Sequence, residues 1–119
     1  MSEAYNLEER TAQFGENIIK LSTPLKLTAV SRPIVNQLVR AATSVGANYM
    51  EANGASSRND FRNKIFICKK EVQEVKHWLR MLKQCFPEKS NEIKILWDET
   101  HELNLIFQKI TTSLKTGAR

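Results

Sequence analysis

The sequence predicts an all-α protein, an antiparallel up-down-up-down left-handed four-helix bundle, and three observations predict it. Apolar residues recur at alternating spacings of three and four in long stretches, which is the helical seam pattern. No segment shows period-2 alternation with β-branched enrichment, so strands are not expected. Most connections between the periodic segments are short, which makes chain neighbours antiparallel. At 119 residues the chain fits one domain, 1–119, with enough apolar content for a compact core.

The first helix is expected over about 6–22. Asn6 is a good N-cap, with Glu9 three residues on as a capping-box partner. Leu7, Thr11, Phe14, Ile18 and Leu21 form its seam, Thr23-Pro24 ends it, and 24–32 is a loop. The second helix, about 33–53, opens at Pro33, with Ser31 or Arg32 as cap, and Gly54 is a natural residue to follow its last turn. It is rich in small residues: Ala41, Ala42, Ser44, Gly46, Ala47 and Ala52. Gly46 costs about 1 kcal/mol relative to Ala in a helix interior, and the close approach of a neighbouring helix is the simplest offset.

The third helix, about 57–85, has Ser56 or Ser57 as N-cap, with Ser57-x-x-Asp60 a capping-box variant. Its seam is Phe61, Ile65, Cys68, Val72, Val75, Leu79, Leu82 and Phe86, and Pro87 stops it. The fourth, about 88–115, has the seam Ile93, Leu96, Thr100, Leu103, Phe107, Ile110 and Leu114 and is ended by Gly117.

The third helix carries a second pattern. Arg58, Arg62, Lys69, Lys76, Arg80 and Lys83 fall within a sector roughly 60° wide beside the apolar seam, and no acid shares it. From Arg58 to Lys83 there are eight Lys/Arg against Asp60, Glu71 and Glu74, a surplus equal to the net charge of +5 of the whole chain. Lys and Arg beside a seam cover apolar surface with their stems, but six without an acid exceed that need. The reading is an anionic partner, RNA or DNA, held by its backbone and released by salt. No Phe, Tyr or Trp lies within the stripe, so base stacking of the single-strand type is not expected.

The opposite flank of that helix carries Ile67, Trp78 and Met81 with Glu71 and Glu74. It reads either as a wide core face or as a subunit interface, for which Trp97 on the fourth helix is a further candidate. On the second helix Arg40, Ser44, Asn48 and Glu51 form a polar line, with Arg40 and Glu51 paired across an interface or lying in a surface row. The expected oligomer-interface set is Arg40, Asn48, Glu51, Ile67, Glu74, Trp78 and Met81.

Catalysis finds little support. Glu74-x-x-His77 and Asp98-x-x-His101 have di-iron-like spacing, but they lie roughly opposite their seams and read as solvated, so no metal and no cofactor is expected. There is no Gly-x-Ser-x-Gly elbow, and neither cysteine has a His placed to activate it. Ser56, Ser57 and Arg58 before the third helix make at most a modest anion site, and more simply a cap. Cys68 in the seam and Cys85 at the helix end read as reduced thiols. With no apolar leader after Met1 and no apolar run near 18 residues, the expectation is a cytoplasmic protein with no membrane partner and no enzymatic activity.

The run from Gln37 to Glu51, QLVRAATSVGANYME, resembles the second-helix signature of the bacterial four helix bundle protein family, approximately Arg-Arg-Ala-x-x-Ser-Ile-x-Ala-Asn-Ile-Ala-Glu-Gly. Some members are encoded by intervening sequences within 23S ribosomal RNA genes. Ser56 to Phe61 resembles the family's serine-capped start of the third helix, and Glu71 to Glu74 its later acidic stretch. The resemblance covers about residues 6–115. It implies a four-helix bundle assembled as a homopentameric ring. A related member, the accessory variability determinant of diversity-generating retroelements, is a basic pentamer that binds nucleic acid and its reverse transcriptase. Arg40, Ala47, Asn48 and Glu51 match as structural positions. Ala52 stands where the signature has Gly, and Ala55 where the loop often has Arg, which weakens the loop as an anion site. The resemblance supplies no reaction. The leading reading is a non-catalytic, self-associating nucleic-acid binder. The alternative is an oligomeric adaptor that binds another protein and no nucleic acid.

Overall fold

The computed structural model describes residues 6–116 and consists of four α-helices: α1 (Leu7–Ser22), α2 (Ser31–Asn53), α3 (Arg58–Cys85) and α4 (Ser90–Thr116), with a 3₁₀ turn, Pro87–Lys89, leading into α4. No strand occurs among the described residues. The expected end of the fourth helix at Gly117 lies outside the described residues.

Contacts between helices fix the directions. Asn53 donates to Glu8, and Gly46 lies against Thr11, so α1 and α2 run antiparallel. Arg40 reaches Glu71 and Glu74 while Lys64 reaches Glu51, so α2 and α3 do too. Lys76 lies over Trp97 and Lys115 over Phe66, which gives the same for α3 and α4. The chain therefore goes up, down, up and down. Between α1 and α4, Arg10 donates from Nε and Nη2 to the two oxygens of Glu99, at 2.7 and 2.9 Å. Such a two-pronged pair fixes orientation as well as distance.

The seams form the core. Phe14, Ile18, Leu38, Val45, Ile65, Val72, Val75, Leu79, Leu82, Leu103 and Phe107 are all buried. Two hydroxyl-bearing seam positions explain themselves. Thr11 and Thr100 are buried because each hydroxyl donates to the carbonyl four residues earlier, Leu7 and Leu96, at 2.6 Å. Gly46 has the reason its cost requires: a Cβ there would sit 3.3 Å from the Thr11 carbonyl oxygen. The two backbones approach that closely only because no side chain intervenes.

The helix ends correct the sequence reading in three places. Asn6 caps α1 through Glu9 N–H at 3.3 Å, but the Glu9 side chain accepts from Gln13 instead of closing the box. The cap of α2 is neither Ser31 nor Arg32. Thr28 Oγ1 accepts from the N–H groups of Val30 and Ser31, and Ser31 Oγ accepts from Thr28 N–H at 2.8 Å. A reciprocal Thr-x-x-Ser pair thus starts the helix two residues before Pro33. Gly54 ends α2 at φ −96°, outside the left-handed region, so it serves as a small residue at a turn and not through its special conformation. Ser57 caps α3 as expected, accepting from Asp60 N–H at 3.0 Å.

Candidate nucleic-acid interface

The basic stripe occupies the flank of α3 that adjoins α4. Arg58, Arg62, Arg80 and Lys83 are exposed, and Lys69 and Lys76 are half-buried. None of the six takes part in an ion pair among the described residues. From Arg58 to Lys83 the helix rises roughly 37 Å at 1.5 Å per residue. A nucleic-acid strand presents a phosphate about every 3.4 Å of helix rise, so the row is as long as about eleven nucleotides of one strand.

Two aromatic rings lie under this row, which the sequence reading did not expect. Lys76 Nζ sits 4.9 Å from the centre of the Trp97 indole, brought across from α4. Arg62 sits 5.7 Å and Lys115 of α4 5.9 Å from the centre of the Phe66 ring. These contacts hold the cations over apolar surface without neutralising them. Arg62 and Phe66 are four apart on one helix, a spacing that makes them neighbours, so this pair was open to discovery in the sequence. Trp97 was not, because its place under Lys76 depends on how α4 aligns with α3. The sequence reading had set it aside for a subunit contact.

On the other flank of α3, facing α2, Lys64, Glu71 and Glu74 each have a charged partner on α2. Arg40 donates from Nη1 to both oxygens of Glu71 at 3.3 Å, from Nη2 to Glu74, and from Nε to Gln37 at 3.1 Å. The guanidinium is held above its already high ordinary pKa, chiefly by the hydrogen bond to Glu71. Trp78 Nε1 donates to Glu74 Oε1 at 3.4 Å, which extends the network along α3. Lys64 donates to Glu51 at 2.7 Å, and its ammonium is held on the charged side by that bond.

Of the residues expected at an oligomer interface, five therefore have partners within the chain. Arg40, Glu74 and Trp78 form one network and Glu51 binds Lys64. Asn48 donates back to the Ser44 carbonyl and hydroxyl, both at 2.9 Å. Arg40 and Glu51 do not pair with each other; each finds its partner on α3. Ile67 remains exposed and Met81 half-buried.

The Glu-x-x-His spacings do not converge. Glu74 is engaged by Arg40, His77 lies edge-on to Trp78 at 4.8 Å, and Asp98 accepts from Lys94 at 2.6 Å. No group of three His, Cys, Asp or Glu gathers among the described residues. Both cysteines are free thiols. Cys68 donates to the Val45 carbonyl at 3.6 Å, and burial pushes its pKa up to about 12, which leaves it unreactive at neutral pH. Among the described residues no helix is long and apolar enough to cross a membrane.

Comparison with known proteins places this arrangement. The family described as 23S rRNA-intervening sequence protein matches residues 3–113. The fold matches the 1.70 Å crystal structure of a protein of unknown function from the S23 ribosomal protein family of Bacteroides thetaiotaomicron. The TM-score is 0.77 at 28% identity, covering 88% of this chain and 97% of that one. No curated protein matches the chain significantly.

Proposed function

The chain belongs to the 23S rRNA-intervening sequence protein family, and from that premise we propose that it is a non-catalytic, cytoplasmic protein that binds the backbone of RNA or DNA along the α3 stripe. It does so as a homo-oligomer, with five chains the number the family resemblance implies. One observation carries the reading. Arg58, Arg62, Lys69, Lys76, Arg80 and Lys83 share one flank with no ion-pair partner among the described residues, whereas at the other flank Lys64, and Arg40 facing it from α2, are both paired. Unneutralised cations in a row are the electrostatic footprint of a polyanion, and contacts of this kind are sequence-independent and salt-sensitive.

The test is light scattering on a size-exclusion column with absorbance at 260 and 280 nm, on protein purified at low salt. The expected result is a mass of several chains with excess absorbance at 260 nm that nuclease or high salt removes. A clean monomer with a protein spectrum overturns both the assembly and the role of the stripe.

A second reading, an adaptor for another protein, draws support from the groove between α1 and α2. There Ile19 and Met50 are exposed beside Ala12, Gly15 and Ala47, with Glu8 and Glu16 at the margin. It predicts a protein, and no nucleic acid, retained through low-salt purification.

A further inference from the structure

At the end of the stripe, α3 and the start of α4 border an open cleft of about 440 Å³, within the size range of small-molecule sites. Its floor is the buried pair Leu79 and Ile93, and one wall is the half-buried Trp97. Arg80, Lys83 and Lys94 stand around it, with Ser90 at the start of α4. Lys94 is held by Asp98, but Arg80 and Lys83 have no carboxylate partner among the described residues. Lys76, outside the cleft, holds the indole from the side of the stripe.

An apolar floor with an indole wall takes a flat, weakly polar body, and two unpaired cations beside it take an anion attached to that body. A straight phosphate backbone lying on the stripe has no use for the floor, and a purely apolar ligand has no use for Arg80 and Lys83. We propose that this cleft binds an unpaired nucleotide, its base against Trp97 and its phosphate at Arg80 and Lys83. The inference deepens the backbone-binding reading above and rests on it where the nucleotide belongs to a chain. It assigns to the protein a preference for single-stranded ends or gaps that the stripe alone does not confer.

The variant Trp78→Phe leaves Trp97 as the single indole, because the chain has two tryptophans. Its fluorescence is read during titration with oligothymidylate, with a blunt-ended duplex of equal length and with thymidine monophosphate, while binding is followed separately by filter retention. Quenching by oligothymidylate and not by the duplex supports an unpaired nucleotide within a strand. Quenching also by the monophosphate supports a free nucleotide as the source, and does so even where retention shows that the stripe binds no strand. Retention of oligothymidylate with no quenching by any probe overturns the cleft and leaves the stripe standing. Equal quenching by the blunt duplex overturns it as well. No retention and no quenching overturns both. In a second arm Trp97→Leu weakens oligothymidylate binding about tenfold and duplex binding not at all, since stacking on an aromatic ring is lost only for an unpaired base.

Discussion

The two flanks of α3 are built from similar residues and do opposite things. Toward α2, cations and carboxylates of different helices meet: Arg40 with Glu71 and Glu74, Lys64 with Glu51. Toward α4, six cations meet aromatic rings or solvent and no carboxylate among the described residues. The same side-chain chemistry thus serves cohesion on one side and, in the function proposed above, is left for a partner on the other. The difference lies in what the adjacent helix presents. α2 faces α3 with Arg40 and Glu51 at positions that match opposite charges, whereas α4 brings Trp97 to Lys76 and Lys115 to Phe66.

The largest expected effect comes from reversing charge on the open flank. With six phosphate contacts the salt slope is about −4 to −5, so binding falls by roughly a thousandfold between 50 and 200 mM salt. Changing Arg62, Lys69, Lys76 and Arg80 together to Glu abolishes most of that slope and lowers stability by about 1 kcal/mol through the lost ring contacts of Arg62 and Lys76. A filter-binding salt series on wild type and variant checks this. A variant that keeps its affinity breaks the contrast between the flanks.

Next comes the closed flank. Arg40→Ala leaves the nearly buried Glu71 carboxylate without its cation and lowers stability by about 2 kcal/mol, a figure set by the cost of stranding a buried charged group and tempered by Arg40's own exposure. Affinity for nucleic acid stays the same. Urea melts and a binding curve on one preparation separate the two readouts, and a binding loss without a stability loss would place Arg40 with the stripe.

A third test uses Cys68, packed between the flanks. Burial raises its folded pKa to about 12, above the ordinary thiol value near 8.5. Its contribution is therefore complete below about pH 8.5 and is lost as pH rises from there toward the folded value, by about 1.4 kcal/mol per pH unit. Subtracting the pH–stability curve of Cys68→Ala isolates this loss from other groups that titrate there. A difference that stays flat to pH 11 means the thiol is not shielded as its burial implies.

The smallest effect belongs to the contact over Trp97. Lys76→Gln removes a partly exposed cation–π pair and costs about 0.5 kcal/mol, together with one unit of salt slope. A slope unchanged within error would assign Lys76 to packing and remove it from the interface.

Much of this was legible in one dimension. The seams of α1, α3 and α4 read as core through most of their length, including Thr11 and Thr100, because the periodic pattern is a local property of each helix; toward the seam ends Phe61, Ile110 and Leu114 are only half-buried, and Thr111 is buried beside Ile110. The stripe was legible for the same reason: its six cations share a sector of one helix. Gly46 could be read as a sign of close packing, although not which atoms it meets. The α2 cap was missed because Thr28 and Ser31 satisfy each other within what read as a loop. The partners of Arg40 and Glu51 were missed for a different reason. Both residues were seen to lie on one polar line, but which helix faces that line, and in which register, is not a property of the line.

The sequence by itself determined four amphipathic helices, their core faces and a positively charged flank, since each follows from spacing along a single helix. Only the tertiary structure decided which cations are neutralised, that Trp97 lies beneath the stripe and Lys115 over Phe66, and that a cleft opens between Leu79, Ile93 and Trp97. Those facts depend on the alignment of one helix against another. That alignment is set by the packing of many side chains at once, with contributions such as the missing Cβ of Gly46 and the two-pronged bond of Arg10 to Glu99.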